Sequence, residues 1–204
     1  MEYRFFYPIT EHQYNTKWKT KSFIESRTDI YFILTPLSDN FHIEHGLKLR
    51  NRKKLELKVR EQRFENGQEY WIKKIHSHRR IDIDDMKSIT KYLTKSNENQ
   101  LIDRLNNSKP LILCYVNKIR EQTHIGSGIT QELTGLHLQF IRADDQSQIG
   151  SDLFFETACI EQSTSKLIDE NIVERLCYKY GDMSINPMGY SEFLYQQYRR
   201  AVIV

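Results

Sequence analysis

The chain has 204 residues, enough for a single domain with a substantial core, and its composition is ordinary at 39% hydrophobic, 28% charged and 12% aromatic. A net charge of +3 is too small to announce a nucleic-acid binder by overall charge. The basic residues cluster instead at 48–60, 73–80 and 118–120, and such local patches suit an anionic ligand.

Three cysteines, Cys114, Cys159 and Cys177, are widely spaced and set in apolar runs. They read as buried free thiols in a reducing compartment, with no CxxC or Cys/His cluster to suggest zinc. The opening MEYRFFYP carries acid and base too early for a secretory signal, and no apolar run reaches membrane-spanning length. The expectation is a cytoplasmic protein without membrane contact, a monomer or homodimer.

In chain order, residues 2–7 form a short strand closed by Pro8, with Glu2, Arg4 and Phe6 on one face. Residues 10–26 are polar, with a short helix expected near their end. The run DIYFIL at 29–34 is a strand stopped by Thr35-Pro36. In HGLKLRNRKKLELKVR, residues 45–60, two alternating runs flank a polar turn at 51–54 and make a β-hairpin. One face of that hairpin collects Lys48, Arg50, Lys58 and Arg60 around the single acid Glu56. It is either the solvated side of a half-buried sheet or an anion site. A second hairpin joins 60–64 to 68–75 through Asn66-Gly67.

Asp82 or Asp84 caps a helix running to about Lys95, and residues 97–107 add a second helical piece ended by Pro110. Three strands follow at 111–120, 136–141 and 153–160, with a flexible turn at Gly126-Ser127-Gly128 and a polar loop containing Asp144 and Asp145. A helix is expected over 163–180, capped by Ser163 or Thr164 and ended by Gly181, and a last one over 190–199. No repeat or linker divides the chain. Seven or eight strands either leave open edges or close on themselves, and closure would turn the charged hairpin face inward.

The order of these motifs resembles the CYTH superfamily, the triphosphate tunnel metalloenzymes, and within it the thiamine-triphosphatase-like branch. Glu2-Tyr3-Arg4 is similar to the second half of the family's opening ExExK, with Arg4 in place of the Lys. Tyr31-Phe32-Ile33 occupies a Y-F/Y-D strand, with Ile33 where the family has Asp. Leu47-Lys48-Leu49-Arg50 with Glu56-Leu57-Lys58 matches an LRxR hairpin, and Lys118-Ile119-Arg120 a KxR strand end. The run 155–161 matches a late acidic strand, and 189–195 an S-Y-x-E-F-L tail in which Met188 stands where Lys is frequent. The family's paired acids on the late strand are not reproduced, because Glu156 and Glu161 fall on opposite faces.

The resemblance implies an α+β fold: a closed antiparallel β-barrel, or tunnel, of about eight strands with several flanking helices. It implies Mg2+- or Mn2+-dependent hydrolysis of a triphosphate compound, such as inorganic tripolyphosphate, thiamine triphosphate or a nucleoside triphosphate. Arg4, Lys48, Arg50, Lys58, Lys118 and Arg120 would hold the phosphates, with Lys58, Arg50 and Glu56 nearest the chemistry. Glu2, Glu156, Glu161 and Asp145 would hold metal. The alternative is a module of the same fold that binds polyphosphate or an RNA 5′ end without cleaving it. Nucleic acid is otherwise not favoured as a partner.

Overall fold

The computed structural model describes all residues except 21–24, 35–43, 78–79, 83–84, 96, 108–110, 127, 181–185 and 204. Eight strands close a barrel: β1 (Glu2–Pro8), β2 (Glu25–Ile33), β3 (His45–Arg50), β4 (Lys54–Arg63), β5 (Glu69–His76), β6 (Ile112–Gly126), β7 (Ile129–Arg142) and β8 (Gln148–Gln162). The order around the barrel is β1-β5-β4-β3-β2-β6-β7-β8, and every pairing is antiparallel. Five helices flank it among the described residues: α1 (Glu11–Lys17), α2 (Met86–Lys95), α3 (Asn99–Asn107), α4 (Glu170–Tyr180) and α5 (Tyr190–Ile203). The expected fold class is therefore the observed one. None of these helices is long and apolar enough to cross a membrane.

Three apolar clusters fix the layers. Inside the barrel, Ile33, Ile112, Val116, Leu136, Leu138 and Phe140 pack beneath Phe193, Leu194 and Tyr198 of α5. That helix fills one end, so the tunnel is blind. Outside, Leu47, Leu49, Leu55 and Leu57 pack against Ile89 and Leu93 of α2 and Leu101 and Leu105 of α3. On the opposite wall, Tyr3, Phe5, Ala158 and Ile160 cover Ile168, Val173 and Leu176. Period-two alternation thus sends the hairpin leucines outward to the helices and the hairpin cations inward.

Several element boundaries move. The short helix begins at Glu11, not near the end of residues 10–26, because Thr10 and Gln13 form a reciprocal capping box. It delivers Trp18, 1% exposed, onto β7 at Gly135, where a Cβ would lie 2.5 Å from the indole. The helix expected from 163 begins at Glu170. Gln68 instead hydrogen-bonds both backbone groups of Ile168, and residues 163–166 form bends. Asp169, whose Oδ1 accepts from Asn171 N, starts α4 in place of Ser163 or Thr164. Strands β6, β7 and β8 run five to seven residues past their expected bounds at one end, paired to each other by backbone. The expected stops at Thr35-Pro36, Pro110 and Gly181, and the Asp84 cap, lie outside the described residues.

Candidate functional site: a basic cavity in the barrel mouth

The half of the interior not filled by α5 is a cavity of about 370 Å³. Strand periodicity selects its walls. β1 supplies Glu2 and Arg4, β2 Arg27 and Tyr31, and β3 Lys48 and Arg50. β4 gives Glu56 and Lys58, β5 Trp71 and Lys73, β6 Lys118 and Arg120, β7 Glu132, and β8 Glu161. Gly46, also inward on β3, leaves room for Ser191 at the start of α5, whose Oγ would lie 2.7 Å from a Cβ there.

Eight cationic side chains face four carboxylates along this wall, a positive surplus that Asp29 behind Lys48 and Lys118 reduces by one. The floor is aromatic. The Tyr31 and Tyr190 rings stack with centroids 6.0 Å apart. Lys118 Nζ lies 3.6 Å from the Tyr190 centroid and Arg4 Cζ 4.5 Å from it, while Lys48 Nζ lies 5.2 Å from that of Tyr31. Ring faces attract cations when water is excluded, so the tyrosines hold these charges at depth.

Two acid-centred groups and one centred on an arginine order the charges. Asp29, fully buried, receives Lys48 at 3.2 Å, Lys118 at 3.3 Å, Arg27 at 3.4 Å and the Asn51 backbone N–H at 3.0 Å. Burial opposes its ionisation, but the charges of Lys118, Lys48 and Arg27 outweigh burial and hold it well below the usual carboxylate range. Burial pulls Lys118 down to about 7 against the attraction of Asp29. Glu56 lies 3.4 Å from Lys48 and 3.6 Å from both Arg50 and Lys73. Burial again opposes ionisation, and Lys48, Lys58 and Lys73 bring it down to about 2.

The third group surrounds Arg4, whose side chain is 2% exposed. Its Nε donates to Glu2 at 2.9 Å, Nη1 to Glu132 at 3.1 Å and Thr157 at 2.9 Å, and Nη2 to Glu161 at 3.0 Å. Glu132 also accepts from Arg120 Nη1 at 3.1 Å and from Gln122 at 3.1 Å. Arg4 and Arg120 overcome the burial of Glu132 and lower it to about 2.

Some donors are left over. Lys58 makes no hydrogen bond or ion pair among the described residues, although it lines the cavity. Arg27 is only 10% exposed, yet its Nε and Nη1 reach Asp29 and Glu25 as ion pairs at 3.4 and 3.6 Å without a hydrogen bond, and Arg120 Nε has no hydrogen-bond partner.

Of the residues singled out from the sequence, Glu2, Arg4, Lys48, Arg50, Glu56, Lys58, Lys118, Arg120 and Glu161 all line this one cavity. Two do not. Glu156 projects from the outer face of β8, where it accepts from Trp18 Nε1 at 2.8 Å and pairs with Lys17 at 2.6 Å. The inward register of β8 holds Phe155, Thr157, Cys159 and Glu161, so Glu156 lies on the other face. Asp145 sits in the exposed β7–β8 turn, where its carboxylate accepts from Ser147 N at 2.8 Å. Neither can hold a metal in the cavity. Arg60 of the hairpin face is spent on Glu69 at 2.7 Å and Glu192 at 3.2 Å, fastening α5 to β5.

Arg27, Asp29, Lys73 and Glu132 were not singled out. Arg27 and Asp29 share the parity of Tyr31, and Glu132 and Thr134 share that of Leu136 and Leu138. Extending each apolar strand backward by period two would have found these three, whereas Lys73 is turned inward by the register shift between β4 and β5, which parity from the outward Ile75 does not anticipate.

The acids do not fit a Mg2+ or Mn2+ ion. Glu2, Cys159 and Glu161 bring one ligand atom each within 4.8 Å of one another. Burial keeps the Cys159 thiol protonated far above its ordinary value, and hard cations prefer oxygen. Glu2, Glu132 and Glu161 already share the permanently charged Arg4.

The fold and cavity thus define a plugged antiparallel barrel with a cationic, acid-ordered mouth. No protein-family model matches the chain, and no curated protein is similar to it.

Proposed function

We propose that the barrel mouth binds the triphosphate group of a small molecule or of a nucleic-acid 5′ end. The observation that carries this reading is the set of leftover donors. A buried donor left without a hydrogen bond costs about 1–3 kcal/mol; Arg27, held to Asp29 and Glu25 by ion pairs alone, and Arg120 Nε keep such donors beside Lys58, which has no ion pair among the described residues. Phosphate oxygens would satisfy them, and a linear chain of phosphates matches cations distributed over β2, β4 and β6 better than one phosphate does. The motif order that resembles the triphosphate tunnel metalloenzymes agrees with this substrate class, and the closed barrel is compatible with that family.

Calorimetry with tripolyphosphate tests it. Tight binding is expected for tripolyphosphate and weak binding for orthophosphate. Lys58→Ala and Arg27→Ala should each weaken tripolyphosphate by about tenfold or more, the value of a charged hydrogen bond. Equal affinity of the variants and wild type would refute the site. Hydrolysis is measured in the same samples by phosphate release with Mg2+ or Mn2+ present. Because the acids are engaged by Arg4, binding without appreciable turnover is the expected result.

A further inference from the structure

The centre of the acid group is itself occupied by a side chain. Three carboxylates arriving from β1, β7 and β8 converge on a single guanidinium. Each is within 3.1 Å of a different nitrogen of Arg4, and Nη1 also donates to Thr157 Oγ1 at 2.9 Å. The Tyr190 face closes the group from below at 4.5 Å. Acids gathered this densely in a cavity need a shared cation to neutralise them. Here the chain provides one covalently, and it cannot lose its charge by deprotonation.

We infer that the Arg4 guanidinium stands where a divalent cation would otherwise bridge Glu2, Glu132 and Glu161, so that the cavity binds triphosphate without a metal ion. The inference rests on the anion-binding reading only for its ligand. Its claim about the acids stands on the geometry around Arg4. A metal entering beside Glu2 and Glu161 would meet the fixed positive charge of Arg4 and would have to displace its bonds. Triphosphate oxygens, in contrast, are drawn to the open side, where Lys58, Arg120 and Arg27 face the cavity.

Two measurements test this. In the first, Mn2+ is titrated into the protein alone, followed by paramagnetic resonance. Wild type is expected to take up no Mn2+ at micromolar concentrations. Arg4→Ala, checked for a folded far-UV spectrum, should gain a site at least about tenfold tighter, since Glu2 and Glu161 then lose their Arg4 ion pairs and Glu132 keeps only Arg120, with the three carboxylates facing one point. Uptake by wild type that Glu161→Gln abolishes would overturn the inference, and so would a folded Arg4→Ala that gains nothing. Should Arg4→Ala not fold, the wild-type titration with its Glu161→Gln control still decides.

In the second, tripolyphosphate affinity of wild type is compared in chelator and in Mg2+. Affinity in chelator should equal or exceed that in Mg2+, because free Mg2+ competes for the phosphates. Binding that appears only with Mg2+ would overturn the inference and leave the anion site standing. Binding in neither condition would overturn the anion site, while the Mn2+ titration would still judge Arg4.

Discussion

At the scale of single residues, Asp29 is the side chain on which the cavity's charge order most depends. It has no solvent exposure and its carboxylate faces three cations. Removing one partner of a buried ionic group leaves charges uncompensated, at about 3–5 kcal/mol. Asp29→Asn should lower stability by that order in urea unfolding, and Thr28→Ala on the same strand by much less. Asp29, Glu56 and Glu132 all lie below the ordinary 3.8 or 4.5 in the folded chain, the latter two at about 2. The unfolded chain therefore binds more protons in acid. Stability from these groups is complete above about pH 4.5 and drains as pH falls toward 2; Tm against pH should show that acid limb, flattened in Glu132→Gln. In Lys118 it is the charged form that the fold disfavours. With burial pulling it down to about 7, it is largely neutral at pH 8, and an entering anion restores its proton. Binding enthalpies of tripolyphosphate at pH 8 should therefore depend on the ionisation enthalpy of the buffer. Parity in the sequence was enough to set Glu156 and Glu161 on opposite faces. On the outer face Glu156 is met by Trp18, a contact across 138 positions that no local pattern encodes.

At the scale of elements, the hairpin of β3 and β4 was legible because its leucines and cations alternate without a break. The outer parts of β6, β7 and β8 were not, since residues 121–126 are exposed on both faces and carry no apolar period. Those ends exist because neighbouring strands already hold them in register, so tertiary pairing supplies what propensity lacks. The same holds for the start of α4, where Gln68 overrides helical periodicity by capturing the Ile168 backbone. The α1–β7 contact gives a direct test. Gly135→Ala places a methyl 2.5 Å from the Trp18 ring, and overpacking of this kind costs about 1–3 kcal/mol. The variant should unfold at lower denaturant, and Trp18 fluorescence should shift to the red as the indole is pushed toward water. Trp18→Leu should recover part of the loss in the double variant, since the smaller side chain removes the clash.

At the scale of the whole molecule, the barrel is closed unevenly. β7 is paired along nearly its full length on both sides, whereas β1 meets β5 through the single register pair Glu2 and Glu69. Amide hydrogen exchange should find the slowest amides in β6 and β7 and the fastest strand amides at the β1–β5 seam. Tripolyphosphate should slow exchange at that seam, because Glu2 and Arg4 of β1 and Trp71 and Lys73 of β5 border the same cavity. The far end is shut by α5, whose Phe193 ring stacks on Phe6 at 3.8 Å, while Phe155 meets it edge-on at 4.8 Å. A polymer therefore has no exit opposite its entrance. Only the last few units of an anionic strand can dip into this well, so a circular or doubly blocked polyanion should compete poorly with one that has a bare tip.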